Sequence, residues 1–368
     1  MVHRVACVAL VLVGCVDARP RSESRPPRPG LASAVPTTPT EQLVPIACDR
    51  FAWSAIAAPK GPVELAVAAG PMGATIFAAP STGGDIAAFA VDPKGDVMTP
   101  SQVVRTNATY VATGATFVDD HVIASAIDTA GNLYIDDVAR DLSASTQIAK
   151  VSAAFGSKTP LLNVWDTPTA PTLGARELDV TTFDASFATA QTTAIEATRQ
   201  PIAVDAAQLA LDGVVGWSTT TDCHLDVLAA RGAVMSASQP FPCPSIRVAT
   251  DAAAYTTVAV YETAGGVEFF GAWFANLQPL QRMLAPGATS PRIAYDGAHY
   301  WIAYIDASGE LAAGLLTSSG TAVVIGLGTL PSRDAFELGI VGGEPWVFIA
   351  DTAGFHGQRM CVAVVPST

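Results

Sequence analysis

The chain has 368 residues and a net charge of −13; half of it is apolar but only 14% is charged, against about 25% in ordinary globular chains. Enough apolar surface is present to build a core, which excludes a wholly disordered chain, and the acidic balance excludes a nucleic-acid partner, which would need a basic stripe. The length suits two or three average domains or one large repeat fold.

The N-terminus reads as an export signal. Arg4 supplies a positive charge, and residues 5–14 form an apolar run interrupted only by small residues and Cys7. Ten residues are too few for a membrane helix, which needs roughly 20. The run ends in Leu12-Val13-Gly14-Cys15, which resembles the lipobox of bacterial lipoproteins. The resemblance implies that Cys15 receives a diacylglycerol thioether and becomes the first residue of the mature chain. Residues 1–14 are then the signal peptide, and the chain meets a membrane through its lipid anchor. Val16, rather than Asp, follows Cys15; by resemblance to enterobacterial sorting this points to the outer membrane of the cell envelope. The alternative is an ordinary secretory signal cut after a later Ala.

Residues 15–42 hold the lipidated cysteine and a tether. The stretch 19–30 is dense in Pro and Arg and has no apolar period, so it is expected to stay extended and solvated. Its four arginines (Arg19, Arg21, Arg25 and Arg28) suit anionic head groups. The body beyond residue 30 carries −16.

Residues 43–368 read as one repeat domain. Residues 115–133 align with 293–311 without a gap: His121 with His299, Ile127-Asp128 with Ile305-Asp306, Gly131 with Gly309, and Leu133 with Leu311. Equivalent turn glycines fall at Gly84, Gly131, Gly174, Gly265, Gly309 and Gly354, spaced 43 to 47 residues apart except for one step of 91. That step is two periods, with residues 219–222 filling the missing turn. Six steps of 45 residues from Gly84 to Gly354 make seven units, a spacing that means a solenoid, propeller or array.

Local pattern decides between these. In one unit, short apolar runs at 292–295, 300–305, 311–316 and 321–325 alternate with turn residues such as Asp296-Gly297. Four strands per period predict a β-propeller blade, and the fold class is therefore all-β, a seven-bladed propeller of four-stranded antiparallel blades. The units also resemble the degenerate propeller repeats of bacterial surface lipoproteins, most clearly over 293–311 and recognisably over 248–267 and 338–354. Six blades is the alternative, with residues 155–197 as the decayed unit. Trp165, Trp217, Trp301 and Trp346 fall in second strands, at positions read as equivalent and expected to pack between blades.

The last unit contains only three strands, and residues 43–53 have no unit of their own. The simplest closure pairs this N-terminal strand with the strand holding Cys361. Four cysteines of an exported body, Cys48, Cys223, Cys243 and Cys361, suggest two disulfides in an oxidising compartment. Of three possible pairings, Cys48–Cys361 joins the two ends of the ring, and Cys223–Cys243 spans the third and fourth strands of one blade. Four buried free thiols is the alternative; zinc is weaker, because no Cys-x-x-Cys is present.

Catalytic motifs are absent: no Gly-x-Ser-x-Gly elbow, His-Glu-x-x-His helix, phosphate loop or dinucleotide fingerprint occurs. No catalytic, cofactor or metal residue is assigned, and no cofactor is expected. His121 and His299 share a repeat position in a surface turn, and Asp119, Asp120, Asp296 and Asp306 are expected to bond their own turns. The reading that results is a non-catalytic binding or scaffold module, monomeric, for a protein or glycan ligand. The alternative is a propeller enzyme of lyase, hydrolase or lactonase type with carboxylates or a metal in the central channel.

Overall fold

The computed structural model describes residues 41–53, 56, 63–80, 85–105, 110–118, 121–128, 133–135, 138–140, 148–155, 160–166, 177–183, 189–196, 203–209, 212–219, 221–228, 234–237, 240–251, 253–254, 256–273, 276–317, 322–351 and 354–366; the side chains of residues 102–204 lie outside this description. Residues 1–40, with Cys15 and all but the last two residues of the expected tether, fall outside it; Glu41 and Gln42 already belong to a strand. The described strands form seven antiparallel sheets. Six are consecutive in the chain: residues 63–105, 110–140, 148–196, 203–242, 245–286 and 289–329, called blades 1 to 6 below. The seventh combines Phe336–Val341, Glu344–Asp351 and Gly354–Pro366 with the N-terminal strand Glu41–Trp53. The first strand of every sheet touches the first strand of the next, and the cycle closes when Phe336–Val341 meets Val63–Gly70. The fold is a β-propeller, and residues 155–197, the weakest stretch of the repeat pattern, still carry strands of blade 3.

A sheet standing edge-on in a ring is covered on both faces, so its middle strands need continuous apolar runs rather than strict alternation. Tyr300–Ile305 and Glu310–Leu316 meet this need: every residue from Trp301 to Ile305 and from Leu311 to Leu315 is buried. The core is accordingly a set of wedges between neighbouring blades. One joins blades 6 and 7 through Trp301, Leu315, Phe336 and Val347, and another joins blades 7 and 1 through Trp346, Phe348, Ile76 and Phe89. The turns carry the expected chemistry. The Asp306 carboxylate accepts the N–H groups of Ser308 (2.8 Å) and Glu310 (3.0 Å), and Gly309 takes the φ of +85° that the turn requires. Asp296 accepts from Ala298 and His299, each at 2.7 Å. Asp119 and Asp120 lie outside the described residues, as do Gly84, Gly131 and Gly174.

The tryptophans correct one expectation. All four are on second strands, but their positions are not equivalent. Trp301 and Trp346 sit near the start of their strands, whereas Trp165 and Trp217 sit near the end. Trp301 and Trp346 fill interblade wedges. Trp217 instead lies on its own sheet: its ring stacks on His224 at 4.0 Å, and its Nε1 donates to Asp226 at 2.6 Å. A buried indole N–H usually finds an acceptor, and the third strand of blade 4 supplies one in Asp226, two residues along from the His224 that faces Trp217.

Ring closure uses the two ends of the domain. Glu41–Trp53 pairs antiparallel with Gly354–Pro366, Leu43 opposite Val364 and Ile46 opposite Cys361, with a bulge between Ala47 and Arg50. Cys48 is bonded to Cys361, their Cα atoms 5.9 Å apart, and Cys223 to Cys243 at 5.3 Å, both within the reach of a disulfide. Arg359 forms ion pairs with Asp49 on one side and with Glu344 (2.8 Å) on the other, and Gln358 Nε2 donates to the Asp49 carbonyl at 2.9 Å. Phe51 stacks on Trp346 at 4.8 Å, and Trp53 Nε1 donates to the Gly95 carbonyl of blade 1 at 3.0 Å. The N-terminal strand thus clamps blade 7 and also pins it to blade 1.

Three outcomes follow for measurement. Peptide mapping without reductant should recover linked Cys48–Cys361 and Cys223–Cys243 peptides; four alkylatable thiols would contradict the pairing. Replacing Cys223 and Cys243 by Ser should cost roughly 3 kcal/mol of unfolding free energy on the loop-entropy model, and replacing Cys48 and Cys361 more, since a 100-residue loop already reaches about 4.7 kcal/mol. Gly357→Ala should also destabilise, because a Cβ there would sit 2.5 Å from the Trp53 ring and 3.2 Å from Trp346. Overpacking of this kind costs about 1–3 kcal/mol, read as a lowered midpoint in urea.

Candidate functional site

The inner strands enclose a channel, and a cavity of about 340 Å³ occupies it. Its described wall comes from blades 1, 4, 5, 6 and 7 and is mostly small and apolar, with Val67, Ala207, Val248, Ile293 and Gly339 each contributed by a different inner strand. Polar groups gather at the two ends of these strands.

At the strand starts lies a belt of charge. Asp205, Arg247, Arg292 and Glu337 stand in blades 4 to 7, spaced 42, 45 and 45 residues apart, so they hold one repeat position and meet around the channel. Arg292 is buried. Its Nε donates to Glu337 at 3.1 Å, its Nη1 to the Pro291 carbonyl at 3.1 Å, Asp334 stands 3.8 Å away, and the guanidinium lies 4.9 Å from the Phe336 ring centre. Burial pulls the Arg292 guanidinium down from its ordinary value, and Glu337 opposes that pull. Asp205 is partly open to the channel yet ringed by wall atoms. Burial raises its carboxyl above the usual Asp value, while the charge of Arg247 and a 2.8 Å hydrogen bond from the Val248 N–H act the other way. The carboxylates of the belt therefore do framework work. Asp205 caps an inner-edge amide that has no strand neighbour, and Glu337 neutralises a buried cation and accepts the Leu338 N–H at 3.0 Å.

At the far ends of the inner strands of blades 5 and 6 is a hydroxyl and aromatic group. Tyr295 donates to Asp251 at 2.8 Å, Tyr300 and Thr256 share a hydrogen bond of 3.0 Å, and the two tyrosine rings lie 4.6 Å apart. Desolvation and the neighbouring Asp251 carboxylate push the Tyr295 phenol up to about 12. The Asp251 carboxylate also accepts the backbone N–H groups of Ala253 and Ala254, which hold it below the usual range. His299 stands beside this group with its Nδ1 3.6 Å from Asp296; the side chain of His121 lies outside the described residues. Among the described residues no three of His, Cys, Asp and Glu are placed to hold a metal ion.

Sequence reading missed the charge belt. Its signal was available in the 45-residue spacing of Arg247, Arg292 and Glu337, but the charge at this repeat position differs in sign among the blades, so identity between repeats does not reveal it.

No protein-family description matches the sequence, and no curated protein matches it. Solved structures do match in shape. The chain is similar to the Kuenenia stuttgartiensis hydrazine synthase at 12% identity and a TM-score of 0.56, over 85% of this chain and 97% of that one. It is also similar to BBS1N, solved in complex with ARL6DN, at 9% identity and a TM-score of 0.55, over 86% of this chain and 96% of that one. A third, the Dos1 propeller, stands at 11% identity and a TM-score of 0.49, over 78% and 75% of the two chains. At these identities the likeness is one of fold alone.

Asp205 gives the site a testable titration. A carboxyl whose folded value is raised binds its proton more tightly when folded, so its contribution to stability falls as pH rises from the unfolded value through the folded one. Asp205→Asn keeps an acceptor for the Val248 N–H but removes the titration. The stability of the variant relative to the parent should therefore climb from about pH 4 upward. Parallel stability curves for parent and variant in urea titrations at several pH values would contradict the assignment.

Proposed function

We propose that this protein is an exported, lipid-anchored propeller that binds a protein or glycan ligand on its channel and loop faces without turning it over. The observation that carries the reading is the commitment of the channel carboxylates. Asp205 and Glu337 are held by framework amides and guanidinium groups, as are Asp251 and Asp296 by turn amides, so general acid–base work would break bonds that hold the ring. The apolar wall and the tyrosine pair at one mouth suit contact rather than proton transfer. The two disulfides fit an oxidising, exported compartment, and no helix among the described residues is long and apolar enough to cross a membrane. Attachment then rests on Cys15 in the Leu12-Val13-Gly14-Cys15 motif, with the outer membrane as the destination.

Expressed in a diderm bacterium, the protein should incorporate labelled palmitate and partition with membranes, and Cys15→Ala should abolish the label. Recovery of wild-type protein in soluble form, with an N-terminus beyond Cys15, would overturn the anchoring.

A further inference from the structure

The outer half of blade 7 is longer than the blade. Glu344–Asp351 pairs with Gly354–Pro366 only as far as Trp346 opposite Arg359. Beyond that point residues 360–366 pair with residues 41–47 alone, so a two-stranded ribbon runs past the four-stranded sheet. Within it, Val362 and Met360 pack towards Leu327 and Leu330 of the neighbouring blade. The remainder is open and apolar: Leu43 is 41% exposed, Ile46 41%, Val364 56% and Val365 37%. Residues 42–47 and 360–366 contain no charged side chain. Pro45 and the bulge after Ala47 blunt the ribbon's edge against strand addition, but the apolar side chains remain open to solvent.

We propose that this ribbon, residues 41–47 with 360–366, is the surface through which the propeller rests on a lipid bilayer. Three observations choose lipid as the occupant. The chain that enters the ribbon at Glu41 is the segment running from Cys15, so the ribbon is the part of the described fold nearest in sequence to the anchor. That segment carries Arg19, Arg21, Arg25 and Arg28, complementary to anionic head groups, whereas the body beyond residue 30 is at −16. Apart from Glu41 at its end, the ribbon has the uncharged, aliphatic character of a shallow interfacial insertion, and apolar contact combined with a nearby basic segment is the pairing that makes surface binding stable. One acyl anchor alone leaves the propeller free to tumble at the membrane; an apolar ribbon fixes which edge faces it. The Cys48–Cys361 disulfide lies at the base of the ribbon and keeps its two strands in register where they leave the sheet.

The inference uses the anchoring of the proposed function for orientation, but its test reads the ribbon separately. Full-length protein is incubated with vesicles of phosphatidylethanolamine and phosphatidylglycerol carrying a photoactivatable diazirine lipid, irradiated, and mapped by mass spectrometry. Label is expected on peptides covering residues 41–47 and 360–366 and not on the exposed Met72 and Met98 of blade 1. The double variant Leu43→Gln with Val364→Thr, polar but uncharged because the two positions face each other across the strand pair, should lose that label by about tenfold or more while keeping a thermal midpoint close to the parent, since both positions are exposed. Label on the ribbon stands as support whether or not Cys15 takes up palmitate, and palmitate uptake with an unlabelled ribbon overturns the inference while leaving the anchor intact. A concentration-dependent dimer in gel filtration, lost in the double variant, would also overturn it by making a second copy of the chain the occupant.

Discussion

The structure depends on closing the ring. Each blade is apolar on both faces, so it is stable only with a neighbour on each side, and the first and last units must find each other across the whole length of the domain. The bond that achieves this is the pairing of Glu41–Trp53 with Gly354–Pro366. Without it the outer edge of blade 7 would be open and Trp346, Phe348 and Phe89 would lose Trp53 and Phe51 from their wedge. Loop-closure entropy grows slowly with length, so a disulfide across more than 300 residues adds only modestly over one across 100. Its larger effect is that the chain ends cannot part while the rest of the sheet remains folded.

The same constraint accounts for the channel. Inner strands have one edge without a strand partner, and their N–H groups need acceptors from elsewhere. Blade 5 takes the Asp205 carboxylate for Val248, blade 7 takes Glu337 for Leu338, and blade 1 takes the Asp334 carbonyl for Leu65 at 3.2 Å. Carboxylates drawn into the wall demand cations, and Arg247 and Arg292 answer at the same repeat position. The belt is thus a consequence of having an inner edge, and it leaves the wall between the two mouths apolar.

Ligand contact, on this view, belongs to surfaces that the framework does not use. The tyrosine pair at one mouth, the cavity between the mouths, and the ribbon beyond blade 7 are exposed or open, while the charged groups around them are occupied. A propeller can change such surfaces without disturbing the wedges, which is why its fold leaves its activity open.

Much of this was legible in the sequence because it is local and periodic. The 45-residue spacing, the Asp-Gly turns and the short apolar runs determine four strands per unit, since each reflects backbone chemistry within a few residues. Cysteine count and the unpaired strand at residues 43–53 determined how the ends meet, because an orphan strand and an incomplete blade have one economical partner each. The reading of the four tryptophans as equivalent did not survive, because Trp301 and Trp346 follow closely on the first hairpin of their blades whereas Trp165 and Trp217 stand at the opposite end of the second strand. The repeat spacing of Arg247, Arg292 and Glu337 was present in the sequence, but the contacts within the charge belt, the burial of Arg292 and the protruding ribbon were decided by tertiary structure. Each depends on which residues of different blades are brought side by side, on the length by which two strands outrun a third, and on the burial that turns an ordinary Arg or Asp into a structural one; none of these is a property of any single stretch of chain.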